Sequence, residues 1–344
     1  MFFASDNAGP AHPQVMERVI AANAGHQLPY GNDDMMDEVR TGIRRVFEAP
    51  EAEVFLVSTG TAANALALAC YTQPWQTIYC SSVAHVEEDE CNAPEFYAGA
   101  VKLTCVRTDD KMTPEALEAA ITAHPAGDVH VAQPGPVTIT QVTERGSVHS
   151  LAELQALTAV AKAHNLPVHL DGARFANAQA ALGCTAAEMS WKSGVDVVSF
   201  GGTKNGCMAV EAVVFFDPSK AWEFQLRRKR GAHLFSKHRY LSAQMAGYLQ
   251  DDLFLRTAHQ ANDNAAYLAQ CLTKAGAEFL HTPDANMIFT RFPRSVHQRL
   301  HDAGAQYNLW GDVLPGAAED MVACRLVCDW SITRDQIDTF LAHF

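Results

Sequence analysis

Several things are missing from this sequence. No run approaches the roughly 18 apolar residues that a membrane span needs. No internal repeat or low-complexity stretch occurs. The nine cysteines (70, 80, 91, 105, 184, 207, 271, 324 and 328) include no CxxC pair. Their odd number and scatter through apolar segments suit reduced thiols rather than a disulfide framework. Positive charge is scarce: 26 Lys and Arg stand against 39 Asp and Glu, a net charge of −13. That balance argues against general binding to nucleic acid or to an anionic membrane. The opening residues MFFASDNAGP lack the basic start and long apolar stretch of a secretory signal, so a soluble cytoplasmic protein is expected.

What is present fits an enzyme protomer. A chain of 344 residues is too long for a bare binding module and suits two domains. With 48% hydrophobic and 19% charged residues, 21 Gly and 15 Pro, it is neither disordered, collagen-like nor a coiled coil.

Through the first two-thirds, helical patterns alternate with short β-branched runs, the signature of a mostly parallel sheet layered by helices. Ser150 to Asn165 reads as a helix, with Ser150 and Glu153 as a capping box and Leu151, Leu154, Leu157 and Ala161 on one face. Val168-His169-Leu170 then starts a buried strand that delivers Asp171. Val195 to Phe200 delivers Gly201-Gly202-Thr203-Lys204, and Val54 to Val57 leads into Ser58-Thr59-Gly60-Thr61 and a helix from about Ala62. Three strand ends are thus expected to converge, and ligands of open α/β sheets lie beyond the carboxyl ends of strands. After about residue 240 the pattern changes to a long helix (253–274), strand-like 287–292 and 321–327, and a closing helix from about Thr333. The expectation is a large domain over 1–240, a three-layer α/β/α body, and a small α/β domain over 241–344, with the N-terminal tail returning to the latter.

The chemistry-bearing residues each carry two readings. Lys204, among glycines just past a buried strand, is either a solvated loop lysine or an amine able to form a Schiff base with a carbonyl or with pyridoxal phosphate. Asp171 either caps the next turn or pairs with a pyridine nitrogen and keeps it protonated. Ser58-Thr59-Gly60-Thr61 is either a plain N-cap or a phosphate cradle at a helix N-terminus. His85, in Ala84-His85-Val86-Glu87-Glu88-Asp89-Glu90-Cys91, is a ring that stacks on a cofactor, a metal ligand of unusual spacing, or an incidental histidine in a solvated acidic turn. Six basic residues (Arg227, Arg228, Lys229, Arg230, Lys237 and Arg239) fall within 13 positions. They suit a ligand phosphate, an acidic surface on a neighbouring subunit, nucleic acid, or simply water. Arg325, inside the apolar run 321–327, either faces outward or forks onto a protein or substrate carboxylate.

In order along the chain, Ser5-Asp6, Tyr30-Gly31-Asn32-Asp33, Gly60-Thr61-Ala62-Ala63-Asn64, Ala84-His85, His169-Leu170-Asp171-Gly172-Ala173-Arg174, Ser199 to Lys204, the basic segment and Arg325-Leu326-Val327 resemble the threonine aldolase family. These are pyridoxal-phosphate enzymes within the β-eliminating lyase group of the aspartate aminotransferase-like fold. The resemblance implies that Lys204 binds the cofactor aldehyde, Asp171 faces its ring nitrogen, His85 stacks on the ring, and Ser58, Gly60 and Thr61 hold the phosphate. It implies that Arg228, Lys229 or Lys237 reach that phosphate from a neighbouring subunit, and that Tyr30 comes from an adjacent protomer. Ser5, Arg174 and Arg325 would bind the substrate carboxylate, with orientation of the cofactor as an alternative role for Arg174. A homotetramer built from dimers with shared active sites is implied, with no metal, nucleic acid or membrane partner.

One segment departs from the family pattern. Many of these aldolases carry Glu-Asn-Thr-His-Asn where this chain has Gln141-Val142-Thr143-Glu144-Arg145, which puts Glu144 in place of a second histidine. The reaction implied is cleavage of a β-hydroxy-α-amino acid to glycine and an aldehyde, with His85, through a water, as first candidate base and Glu144 as second. The rival activities are β-elimination or transamination on the same fold. A rival of another class is a non-catalytic phosphate-ligand or nucleic-acid binding protein using residues 227–239.

Overall fold

The computed structural model describes all residues, 1–344. Seven strands build the first sheet: β1 Glu53–Val57, β2 Gln76–Ser81, β3 Lys102–Val106, β4 Gln133–Thr140, β5 Val168–Gly172, β6 Val197–Gly201 and β7 Glu211–Phe215. Their spatial order is β1-β7-β6-β5-β4-β2-β3. Only β7 runs against its neighbours; the pairs β6–β5, β5–β4, β4–β2 and β2–β3 are parallel. The expected mostly parallel sheet is therefore what the chain forms.

Alternation along the strands explains the three layers. Side chains of successive strand residues point to opposite faces. Val54 and Leu56 accordingly enter one core while Phe55 and Val57 enter another. On β6, Val198 and Phe200 join the first core and Val197 the second. Both faces are apolar because helices cover both, which is why these strands read as continuous hydrophobic runs. One cover is the helix Gly60–Cys70, packed on the second face; the helices Asp34–Val46 and Leu151–Ala163 pack on the first. The Leu151–Ala163 helix carries the anticipated capping box, with Ser150 and Glu153 satisfying each other's backbone N–H groups.

A second, fully antiparallel sheet follows from β8 Glu278–Phe279, β9 Met287–Pro293, β10 Asn308–Leu309 and β11 Met321–Val327, in the order β10-β11-β9-β8. Its own core contains Leu268 and Leu272 of the helix Leu253–Lys274, with Ile288, Phe292, Leu326 and Phe340. The N-terminus is tied into it. Phe3 is buried there, its N–H donates to the Gln306 carbonyl at 2.7 Å, and its carbonyl accepts from the Val327 N–H at 2.8 Å. This strap places residues 4–7 between the second sheet and the carboxyl end of the first. No helix is long and apolar enough to cross a membrane.

Candidate active site

Three strand ends meet at one cavity of about 260 Å³. β1 runs into Ser58, Thr59, Gly60 and Thr61, β5 ends at Asp171, and β6 runs into Thr203 and Lys204; all of these line the cavity, with His85. Six residues singled out in the sequence therefore come together: Ser58, Gly60, Thr61, His85, Asp171 and Lys204. Asn7, Asn64, Thr59, Thr203 and Glu211 complete much of the lining.

The lysine turn is held from behind. Gly201 must be glycine, since a Cβ there would stand 2.4 Å from the Ala173 carbonyl oxygen. This close approach seats the β6 end against the β5 end. Asn205 donates to the Tyr248 hydroxyl at 2.7 Å and to the Phe254 carbonyl at 2.8 Å, while the Tyr248 hydroxyl donates to the Gly201 carbonyl. Lys204, between these anchors, forms no ion pair with any carboxylate, so its amine is uncommitted.

On the opposite wall a polar network runs through buried groups. Asp171 accepts from the Ala173 N–H at 3.1 Å and from the Asn64 amide at 3.0 Å. The same Asn64 nitrogen donates to Glu90 at 2.9 Å. Glu90 in turn lies 3.0 Å from Nδ1 of His85. A carboxylate only accepts, so Nδ1 carries a proton and Nε2 is left to face the cavity. The Glu90 hydrogen bond raises the His85 pKa above its usual value, against the effect of burial. Burial raises the pKa of Glu90. One of the three sequence readings took Glu87 to Glu90 as a solvated acidic turn. That holds for Glu87, Glu88 and Asp89, which are exposed, but Glu90 is buried. Its only sequence signal is its position just past the one-turn helix His85–Glu88.

Two arginines lie beside the N-terminal strap, outside the lining of the Lys204 cavity. Arg174 forks onto Asp6 through Nε at 2.6 Å and Nη2 at 3.0 Å, with both groups buried. Burial alone would raise the pKa of Asp6, but the Arg174 guanidinium holds it below its usual range. Asn286, ahead of β9, also donates to Asp6 at 3.1 Å, so this ion pair joins the two sheets. Arg174 is thus half committed, its Nη1 making no hydrogen bond within the protein. Arg325 donates to the Ala4 carbonyl at 3.3 Å, and its buried Nε has no partner. Its guanidinium lies 5.9 Å from the ring of Trp310, which Arg145 covers at 4.8 Å. Ser5 caps the turn at 6–8 through the Asn7 N–H.

The other sequence-marked residues do not line the Lys204 cavity. Glu144 lines a small pocket with Ala84, Thr143 and His149, close enough for its charge to act on His85, Arg174 and Arg325. Tyr30 and Arg228 line a surface hollow of about 300 Å³, with the Lys229 ammonium 5.2 Å over the Tyr30 ring. Arg228 is buried, donates to the Leu56 carbonyl at 3.1 Å, and is lowered to a pKa of about 10 by burial. Lys237 is exposed. Within the basic segment, Arg227 pairs with Glu223 and Arg239 donates to the Gly25 carbonyl. No three His, Cys, Asp or Glu side chains gather as a metal-holding group, and Cys91 is exposed.

The donor set fits pyridoxal phosphate. It offers an uncommitted amine for the aldehyde, a buried carboxylate for a ring nitrogen, and hydroxyls with a helix N-terminus for a phosphate. An orphan Asn64 carbonyl oxygen is also buried in the Glu90–Asp171 network.

A mostly parallel sheet with a lysine, a carboxylate and a helix N-terminus at its carboxyl edge defines a class of α/β proteins, and within it the chain belongs to the β-eliminating lyase family, whose model matches residues 3–294. A low specificity L-threonine aldolase of Pseudomonas aeruginosa is 40% identical over 338 residues, 97% of this chain and 94% of that one. A Leishmania major threonine aldolase structure superposes with a TM-score of 0.92 at 24% identity, covering 99% of this chain and 97% of that one. An SPT structure solved with PLP has a TM-score of 0.71 at 18% identity, covering 100% of this chain and 86% of that one.

Proposed function

We propose that this protein is a pyridoxal-phosphate-dependent aldolase that cleaves the Cα–Cβ bond of β-hydroxy-α-amino acids of the threonine type to glycine and an aldehyde. L-threonine, L-allo-threonine and L-phenylserine are the candidate substrates. The observation that carries the reading is the single cavity in which the uncommitted Lys204, the buried Asp171, the Ser58–Thr61 cradle and the Glu90-oriented His85 meet.

Bound pyridoxal phosphate supplies the electron sink for bond cleavage at Cα. Lys204 holds its aldehyde, Asp171 keeps its ring nitrogen protonated, and the hydroxyls and N–H groups from Ser58 to Thr61 hold its phosphate. Arg325, Ser5 and the free edge of Arg174 hold the substrate carboxylate and so fix which bond at Cα stands ready to break. His85 takes the β-hydroxyl proton, directly or through a water, and Glu90 stabilises the resulting imidazolium. Glu144 is second to it as base: its charge acts on His85, but its side chain does not line the Lys204 cavity. Tyr30, Arg228, Lys229 and Lys237 serve the site of a neighbouring protomer, in a cytoplasmic homotetramer of shared active sites. Tyr30 and Arg228 support this by lining a surface hollow that does not include Lys204, with Lys229 over the Tyr30 ring. Residues 1–240, with the first sheet, form a large domain, and residues 241–344, with the second, a small one.

The test is to load the protein with pyridoxal phosphate and assay L-threonine, L-allo-threonine, L-phenylserine and the D-enantiomers, with Lys204→Ala as control. Equimolar glycine and aldehyde, lost in the control, is the expected result. Ammonia and a 2-oxo acid would replace the aldolase with an elimination or transamination reading. A colourless protein that retards nucleic acid in a salt-sensitive manner would refute catalysis altogether.

A further inference from the structure

A second buried carboxyl stands on the phosphate side of the cavity, and the proposed reaction leaves it without a role. Because β7 runs against its neighbours, its first residue, Glu211, lies at the same edge where β1 and β6 end. Its Cα partners are Val57 on β1 and Gly201 on β6. It therefore sits between the strand that leads into the Ser58–Thr61 cradle and the strand that leads into Lys204, and its side chain lines their common cavity.

Glu211 is only 6% exposed. One oxygen accepts from the Gly202 N–H at 2.8 Å, and the Thr203 side chain lies close enough to favour the charged form. No lysine, arginine or histidine pairs with it. A buried carboxylate without a cation is already costly. Burial pushes its pKa up to about 7, the charge of Asp171 acting in the same direction against Thr203, Gly202 and Lys204. A phosphate dianion brought to the cradle adds like charge at short range and drives the carboxyl further toward its neutral form.

We infer that Glu211 is a cofactor-binding residue that holds the phosphate as a neutral carboxylic acid, donating its proton to a phosphate oxygen. Cofactor affinity then falls as pH rises and that proton is lost. The inference rests on the reading of the cavity as a pyridoxal-phosphate site. The other titratable groups around Glu211 are Lys204, Asp171, Cys207 and Tyr248, with His85 across the cavity. Burial pushes the Cys207 thiol and the Tyr248 phenol well above their ordinary ranges, so both stay neutral through the pH window concerned.

The test uses pyridoxamine 5′-phosphate, which has no aldehyde and so binds without bonding to Lys204. Its dissociation constant is measured by equilibrium dialysis on the full chain between about pH 6 and pH 8.5. If only the neutral carboxyl binds, linkage gives a weakening of roughly 30-fold across that range. Glu211→Gln keeps an N–H donor that does not titrate, so its affinity should stay near the low-pH value of the parent. Any effect of His85 or of the phosphate's own ionisation is common to both proteins. Pyridoxamine without phosphate should show no difference between them, which separates phosphate recognition from a disturbed fold. A Glu211→Gln variant whose affinity falls with pH as the parent's does would overturn the inference. So would a parent whose affinity is flat. Both of those results leave the pyridoxal-phosphate reading standing. Failure to bind pyridoxamine phosphate at any pH, in a protein that also stays colourless with pyridoxal phosphate, would remove both.

Discussion

Replacing Glu90 by glutamine isolates the part of the site that sequence reading did not find. The carboxylate lies 3.0 Å from His85 Nδ1, is buried, and is the largest influence on that imidazole. Glutamine keeps the size and an oxygen that can still accept from Asn64 and His85, but removes the charge. A hydrogen bond to a charged group contributes about 1.5–3 kcal/mol. If the imidazolium forms as the β-hydroxyl gives up its proton, losing this stabilisation should slow kcat roughly 10- to 150-fold. The pH profile supplies the second readout. A base must be neutral to act, and Glu90 raises the His85 pKa. Without that charge the acid limb of kcat/KM should move to lower pH even as the maximum rate drops. The cofactor spectrum and the thermal midpoint should stay near those of the parent, because Lys204 and Asp171 are untouched. A variant with at least half the parental kcat and an unmoved acid limb would refute the assignment of His85 as base and Glu90 as its partner.

Three further outcomes are expected. Asp6→Asn leaves the buried Arg174 guanidinium without its counter-charge and should destabilise the fold by about 3–5 kcal/mol, read as a lowered urea midpoint. Trp310→Leu removes the ring beside Arg325 and Arg145, and should raise KM several-fold while leaving kcat largely intact, as steady-state kinetics would show. Burial lowers both His149 and His169 from 6.5 to about 4. Unfolding lets them take up protons, so their contribution is complete above the unfolded value and is lost as pH falls from about 6.5 towards 4. At about pH 5 each should have given up about 2 kcal/mol, and His169→Gln should flatten the denaturation midpoint against pH in that window.

The sequence determined the elements that local rules govern. Ser150 and Glu153 capped their helix, and the β-branched runs at 54–57, 168–170 and, from Val197, 195–200 became strands because strands covered on both faces are apolar throughout. It also delivered the main cavity: Lys204, Asp171, His85 and Ser58 to Thr61 each follow a strand, and parallel strands of one sheet end at one edge. Only the tertiary structure separated Glu90 from the three exposed acidic residues before it, since burial depends on what packs against a position from elsewhere in the chain. Only the structure paired Arg174 with Asp6, 168 residues away. The same limit hid Glu211, whose place at the phosphate edge follows from β7 being the one strand to run against its neighbours. Strand direction within a sheet is settled by long-range pairing, and no local pattern around Glu211 records it.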